Sequence, residues 1–251
     1  MSRFVDKVVI VTGAGRGMGR VCAGSFAEEG AAVALVDVRK DDIEEAVNRL
    51  RTKGSKALAI ICDVSKPAEV QRAVNTVVAE FGTVDILVNN AGVLRTTTPL
   101  QDITEEEWDL TMNVNLKGVF LFSRSVLPIM RKKCYGKIIN ISSSAGRSTS
   151  ELGGAHYTTS KAGVLGLTRH TAREYGPYGI NVNSVCPGLV ETPMIREEAS
   201  PEKLDHWLKQ IPLGRFADPS EEADLVLFLA SDQAKYITGA TIDFNGGSLL
   251  I

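Results

Sequence analysis

Thr12-Gly13-Ala14-Gly15-Arg16-Gly17-Met18-Gly19 follows the apolar run Val8-Val9-Ile10-Val11 and opens a segment of helical character, residues 17–29. An apolar β-branched run without polar alternation is the pattern of a strand covered on both faces, as in a parallel sheet. Glycines directly after such a strand let the chain turn tightly and bring its backbone against a pyrophosphate at the positive end of the next helix. Strand, glycine turn and helix in that order are the context a dinucleotide-binding loop requires. Gly13, Gly17 and Gly19 carry this reading, and Arg16 and Met18 lie in the same loop.

Strand and helix patterns alternate along the rest of the chain. Further strands are expected at residues 32–36, 57–62, 84–88, 137–141, 180–185 and 241–244, with helices at 41–53, 66–81 and 104–131, one through Tyr157 to about Tyr175, and one after Asp218. Thr104-Glu105-Glu106-Glu107 has the form of a capping box, and Asp218-Pro219-Ser220-Glu221 starts a helix by its cap and its proline. Pro128 is expected to bend or end the 104–131 helix, and Pro187-Gly188 to end the sixth strand. The alternation predicts an α/β fold. It is one doubly wound Rossmann-type domain over 1–251, a seven-stranded parallel sheet with helices on both faces.

The bulk numbers fit that domain. The 251 residues are 44% hydrophobic and 23% charged, ordinary values for a globular chain with a sizeable core. A net charge of −2 with dispersed basic residues leaves no footprint for nucleic acid or an anionic membrane. The first residues show neither a signal peptide nor a spanning segment, so a cytoplasmic protein is expected. Cys22, Cys62, Cys134 and Cys186 have no paired spacing and read as buried free thiols. The three histidines are scattered, and no metal site is expected; His156 reads as structural.

Tyr157-Thr158-Thr159-Ser160-Lys161 sets a phenol and an ammonium four residues apart, on one face of a helix. A free tyrosine titrates near pH ~10, and a fixed cation beside it favours the phenolate. Such a phenol can serve as general acid or base. Ser143 stands just past the 137–141 strand, where open α/β sheets place ligands, and its hydroxyl can donate to a substrate oxygen; Ser144 competes for that role. Trp108, Met112, Asn115, Val119, Phe122 and Val126 recur at helical spacing and set Asn115 in an apolar stripe, where its amide must find partners. Leu110, Val114 and Leu121 form a second apolar face, which suggests subunit contact.

The strand at 32–36 ends in Asp37, whose carboxylate can accept from both ribose hydroxyls and would repel a 2′-phosphate. That favours NAD over NADP, with Arg16 and Arg39 on the other side of the balance. Asp63 is open to two readings, an adenine contact or a cap for the following helix. The asparagines of Asn89-Asn90-Ala91-Gly92 satisfy backbone groups at a strand end, line the ribose, or do both.

The TGxxxGxG loop at Thr12 to Gly19, Asn89-Asn90-Ala91-Gly92, Asn115, Ser143, Tyr157-xxx-Lys161 and Pro187-Gly188 followed by Thr192 together resemble the short-chain dehydrogenase/reductase family, over essentially the whole chain. The resemblance implies an NAD(P)-dependent exchange of hydride between a secondary alcohol and a ketone. It implies Tyr157 as acid/base, Ser143 on the substrate oxygen, Lys161 lowering the Tyr157 pKa and binding ribose, and Asn115 holding a water. It implies further cofactor contacts at Asp63, Val64, Asn90, Ala91, Gly92, Pro187, Gly188, Val190 and Thr192, and a homotetramer. A small-molecule alcohol or ketone is the expected substrate. An NADPH-dependent 3-oxoacyl-[acyl-carrier-protein] reductase is the nearby alternative, and a non-catalytic dinucleotide sensor or a structural subunit are the distant ones. Residues 193–212 are expected to form a lid. Arg147, Thr149, Glu151 and Leu152 are expected to face substrate, with Arg95, Arg147 and Arg196 as possible handles for an anionic group. Asn245-Gly246-Gly247 departs from the family's more usual Asp-Gly-Gly, a change expected to lie far from the chemistry.

Overall fold

Alternation of side chains along β1, Val8–Thr12, creates the two layers of the molecule. Val9 and Val11 join one buried cluster and Val8 and Ile10 the other, because successive strand residues point to opposite faces. The structure, a computed structural model, describes residues 2–94, 99–150, 152–192 and 200–251. The remaining strands are β2 (Ala32–Asp37), β3 (Ala57–Ile61), β4 (Ile86–Asn89), β5 (Gly136–Ile141), β6 (Ile180–Pro187) and β7 (Thr241–Phe244). They form one parallel sheet in the order β3-β2-β1-β4-β5-β6-β7. Val9 lies opposite Val33 on one side and Ile86 on the other, so the most apolar strand runs through the middle.

Helices α1 (Gly17–Glu28) and α2 (Lys40–Thr52) cover one face; α3 (Pro67–Phe81), α5 (Gly118–Lys133) and α6 (Ala155–Tyr175) cover the other. Two shorter helices, α4 (Glu105–Met112) and α7 (Pro201–Leu208), flank the sheet's upper end, and α8 (Pro219–Ala230) completes the first face. The strand order reverses between β1 and β4, and at such a switch the crevice beyond the strands' C-terminal ends takes ligands. No helix among the described residues is long and apolar enough to cross a membrane, and no group of His, Cys, Asp or Glu there can hold a metal.

Several expectations need correction. β6 continues through Pro187, since Cys186 and Pro187 still pair with Asp243 and Phe244 of β7. Of the two outcomes expected at Pro128, an end to the helix is not observed: α5 runs on to Lys133, two residues past the expected 131, and stops where Cys134 turns to φ +52. That turn leaves Cys134 exposed, while Cys22, Cys62 and Cys186 are buried free thiols. The expected helix from 104 begins with the predicted capping box but is broken by a π-helical turn, Asn113–Lys117, between α4 and α5. The extra residue in that turn rotates α4, so Thr111 is fully buried while Trp108 and Met112 are only half-buried. Leu121 belongs to the core, which leaves Leu110 and Phe120 as the exposed apolar side chains of these helices.

One core residue is out of character. Glu222 on α8 is 2% exposed, and its Oε2 has no hydrogen-bond partner. Burial pushes its carboxyl up to about 8, with Lys161 pulling the other way. An acid whose folded pKa is raised contributes most below its unfolded pKa, ~4.3, and loses that contribution as pH climbs through the folded value. Glu222→Leu is therefore expected to raise Tm at pH 8, by the equivalent of about 1–4 kcal/mol, with the gain closing towards pH 4. Thermal unfolding of both proteins across pH 4–9 checks this; an equal gain at both ends would contradict it.

Candidate active site

The glycine loop is pressed against the end of β4. The Thr12 hydroxyl accepts from the backbone N–H groups of Asn90 and Ala91, both at 3.0 Å. The Asn90 side-chain amide returns the contact, donating to the carbonyls of Thr12 at 2.9 Å and Gly13 at 3.2 Å. Gly13 has φ +65, and a Cβ on it would stand 2.8 Å from the Ala91 Cα; one on Gly19 would stand 2.4 Å from the Asn90 Nδ2. Only residues without side chains fit at these two positions. Of the two readings of Asn90, satisfaction of backbone groups is thus observed directly.

Asp37, at the end of β2, is nearly buried. Its Oδ2 accepts from the Gly15 N–H at 2.9 Å, and its Oδ1 from the Arg39 N–H at 3.1 Å and Nε at 3.4 Å. The Arg39 Nε also lies 3.3 Å from Asp42, so this cation is directed at two carboxylates. Asp63 does not cap α3, whose N-cap is Lys66; it accepts from the backbone N–H and the hydroxyl of Ser65. Val64 is buried beneath Gly118.

Beyond the ends of β4, β5 and β6 lies a cavity of ≈ 340 Å³ into which Ser143, Tyr157 and Lys161 all face. Met18, Asn90 and Gly92 line one side, with Pro187, Gly188, Val190 and Thr192 on another. Gly13, Arg16, Gly17, Gly19, Asp37, Asp63, Val64, Ala91 and Asn115 do not line it. Among the described lining residues Tyr157 and Lys161 are the only ionisable ones.

Ser143 caps the short turn at Ser144–Gly146, where its Oγ accepts from the Ala145 N–H at 3.1 Å. Its hydroxyl acts on the Tyr157 phenol, while Ser144 lines the same cavity. Burial pushes the Tyr157 phenol up, and the Ser143 hydrogen bond pulls it partly back. The expected lowering by Lys161 is not found. The Lys161 Nζ donates to the Ile141 carbonyl at 3.0 Å and lies 5.8 Å from the Tyr157 ring centroid. Burial pushes the Lys161 ammonium itself down to about 8, against the upward pull of Cys186 and Glu222.

Asn115 is wholly buried in the π-helical turn. Its Oδ1 accepts from the Val93 N–H at 2.8 Å, and its Nδ2 donates to the Val93 carbonyl at 2.9 Å and the Ser160 hydroxyl at 3.2 Å. The side chain therefore ties the segment after β4 to α6, next to Lys161, with both the oxygen and the nitrogen of its amide engaged.

Other expectations divide. Thr149 and Leu152 line the cavity, but Arg147 does not; it pairs with Asp243 of β7 at 3.3 Å. His156 is buried away from the cavity, both ring nitrogens without partners. From the expected lid, Trp207, Gln210 and Ile211 reach the cavity, while residues 193–199, with Arg196, lie outside the described residues, as do Arg95 and Glu151. Ser248 and Leu249 were not expected and line the cavity too. The change at Asn245 is therefore close to the site, not far from it. The paired glycines after β7, both at positive φ, are the sequence signal for that reversal.

The glycine cradle and the carboxylate at the end of β2 fit a dinucleotide. The family described as Enoyl-(Acyl carrier protein) reductase matches residues 13–248. A 3-oxoacyl-[acyl-carrier-protein] reductase FabG of Staphylococcus epidermidis is 44% identical over 244 residues, 97% of this chain and 99% of that one. Levodione reductase has a similar structure, with a TM-score of 0.94 and 35% identity over 98% of each chain. A 3-oxoacyl-[acyl-carrier protein] reductase from Brucella melitensis, solved with bound NAD, gives a TM-score of 0.90 and 34% identity over 98% of this chain and 93% of that one. The chain belongs to the short-chain dehydrogenase/reductase family. It is an oxidoreductase acting between a carbonyl and an alcohol.

Asn115→Ala is expected to leave the half-buried Val93 N–H and carbonyl without their side-chain partner and to destabilise the fold by about 1 kcal/mol. Urea unfolding measures the loss, and an unchanged midpoint would show that the Val93 contacts contribute nothing.

Proposed function

We propose that this chain reduces the ketone of a 3-oxoacyl-type substrate with NADH. The observation that carries the reading is the convergence of Ser143, Tyr157 and Lys161 in a cavity lined by no other described ionisable group. The names of the relatives put the 3-oxoacyl substrate ahead of a broader alcohol–ketone interconversion. Val93, Leu94, Leu152, Trp207, Ile211 and Leu249 supply apolar wall for an acyl chain.

The bound nicotinamide supplies the hydride. The Ser143 hydroxyl faces the cavity beside Tyr157, where its proton can turn to a substrate oxygen once one is bound. Tyr157, kept protonated by burial, donates its proton to the same oxygen as the carbonyl becomes an alcohol. Lys161 holds positive charge beside that oxygen, where a developing phenolate and the ribose can both use it. Asn115 holds the wall behind Lys161 in place.

Asp37 supports NADH over NADPH, because a 2′-phosphate beside it would bring like charges together in a poorly solvated position. Gly13, Arg16, Gly17, Met18 and Gly19 hold the pyrophosphate in this reading. Asp63, Val64, Asn90, Ala91 and Gly92 hold the adenosine and ribose, and Pro187, Gly188, Val190 and Thr192 the carboxamide. Self-association as a homotetramer belongs to the same reading, supported by the exposed Leu110 and Phe120.

Tyr157→Phe is expected to lower turnover of a 3-oxoacyl thioester by roughly 10²–10⁴-fold while NADH binding, read by fluorescence, survives. Near-normal turnover would remove Tyr157 from the chemistry. Titration of the wild-type protein with NADH and NADPH is expected to show at least about tenfold tighter binding of NADH, a difference of ~1.4 kcal/mol. Preference for NADPH would mean that Arg16 and Arg39 outweigh Asp37.

A further inference from the structure

The segment after β7 is held against the cavity by the Asn245 side chain together with backbone bonds, among them the Ser248 N–H to the Asn245 carbonyl at 3.1 Å. Asn245 uses both halves of its amide: Oδ1 accepts from the Gly247 N–H at 2.9 Å, and Nδ2 donates to the Leu249 carbonyl at 2.9 Å. Gly246 and Gly247 take φ +61 and +89 and reverse the chain between those two contacts. The reversal is seated on the segment after α7. The Leu213 N–H donates to the Gly246 carbonyl at 3.2 Å, and a Cβ on Gly246 would stand 2.7 Å from Ile211. On its other side, Asn245 packs on Gly188, where a Cβ would stand 3.0 Å from the Asn245 Cα. The outcome is that Leu249 lines the same cavity as Tyr157, together with Trp207 and Ile211.

We propose that Asn245 is a positioning residue that latches Leu249 onto the substrate cavity, so that Leu249 helps to determine which substrates fit. The substrate half of this proposal rests on the ketoreductase reading; the latch half does not. The donor half of the amide is what the latch requires. A carboxylate at 245 would keep the bond from Gly247 but would set a charged oxygen against the Leu249 carbonyl, with no proton to share. The wall that Leu249 contributes is uncharged and apolar, and the cavity offers no described cation besides Lys161. The group it selects is therefore an uncharged apolar one attached near the reacting carbonyl.

Asn245→Asp changes one group for another of nearly the same shape, and Leu249→Ala removes the wall without touching the latch. Hydrogen–deuterium exchange of the peptide spanning 245–251, measured with neither substrate nor cofactor, is expected to be faster in Asn245→Asp than in the wild type. Equal exchange would overturn the latch whether or not the protein turns over any ketone. Kinetics with a short-chain and a medium-chain 3-oxoacyl N-acetylcysteamine thioester test the rest. KM for the short-chain ester is expected to rise by roughly tenfold in either variant, and the double variant to be no worse than the worse single one. Unchanged KM in Leu249→Ala, or additive effects in the double variant, would overturn the role assigned to Leu249. A wild-type protein that reduces neither ester would defeat the ketoreductase reading, and the exchange result would still decide the latch.

Discussion

The contact between the glycine loop and the end of β4 is the constraint on which the site depends. Thr12 and Asn90 exchange hydrogen bonds across the gap where the sheet changes direction, and that exchange brings two strand ends closer than side chains at Gly13 or Gly19 would allow. A neighbouring segment inherits its place from this contact. Gly92 and Val93 follow directly, and Val93 is held by Asn115, which in turn reaches Ser160 on the helix that carries Tyr157 and Lys161. The nucleotide cradle and the proton-donating groups are thus joined by a short run of hydrogen bonds through the interior.

Burial governs the electrostatics of that run. Tyr157 is pushed up, Lys161 is pushed down and Glu222, on the opposite face of the sheet, is pushed up, all with desolvation as the largest cause. The region thus favours neutral forms, and Lys161 and Glu222 each act on the other's charge. Their proton occupancies are linked, so a change of charge at one is felt at the other. A dry interior also strengthens whatever charge the substrate oxygen acquires during reaction, which is where Ser143 and Tyr157 act in the proposed mechanism.

The sheet was legible in the sequence because period and position carried it: apolar β-branched runs became strands, and the capping box at Thr104 and the cap at Asp218 began helices where expected. The residues that converge on the cavity were legible as spacing along one helix and as positions beyond strand ends. What escaped depended on partners distant in sequence. The direction of the Tyr157 shift follows from how much surrounds the phenol, not from the cation four residues on. Arg147 was read towards the substrate because its loop follows Ser143, but Asp243, nearly a hundred positions away, takes its guanidinium. Leu249 reaches the cavity only because two glycines and one amide turn the chain back, a geometry that strand and helix periods do not encode.

The π-helical turn at Asn113–Lys117 carries one residue more than a regular helix would place there, and Asn115 owes its inward direction to it. A surplus of one cannot be shed gradually. Removing any single residue between Met112 and Val119 would return the stretch to regular pitch and swing the asparagine amide about a quarter turn from Val93, roughly 100° per residue. Length in this part of the chain is thus a discrete variable with one permitted value, and natural variation in the length of this protein should fall in its surface connections, not here.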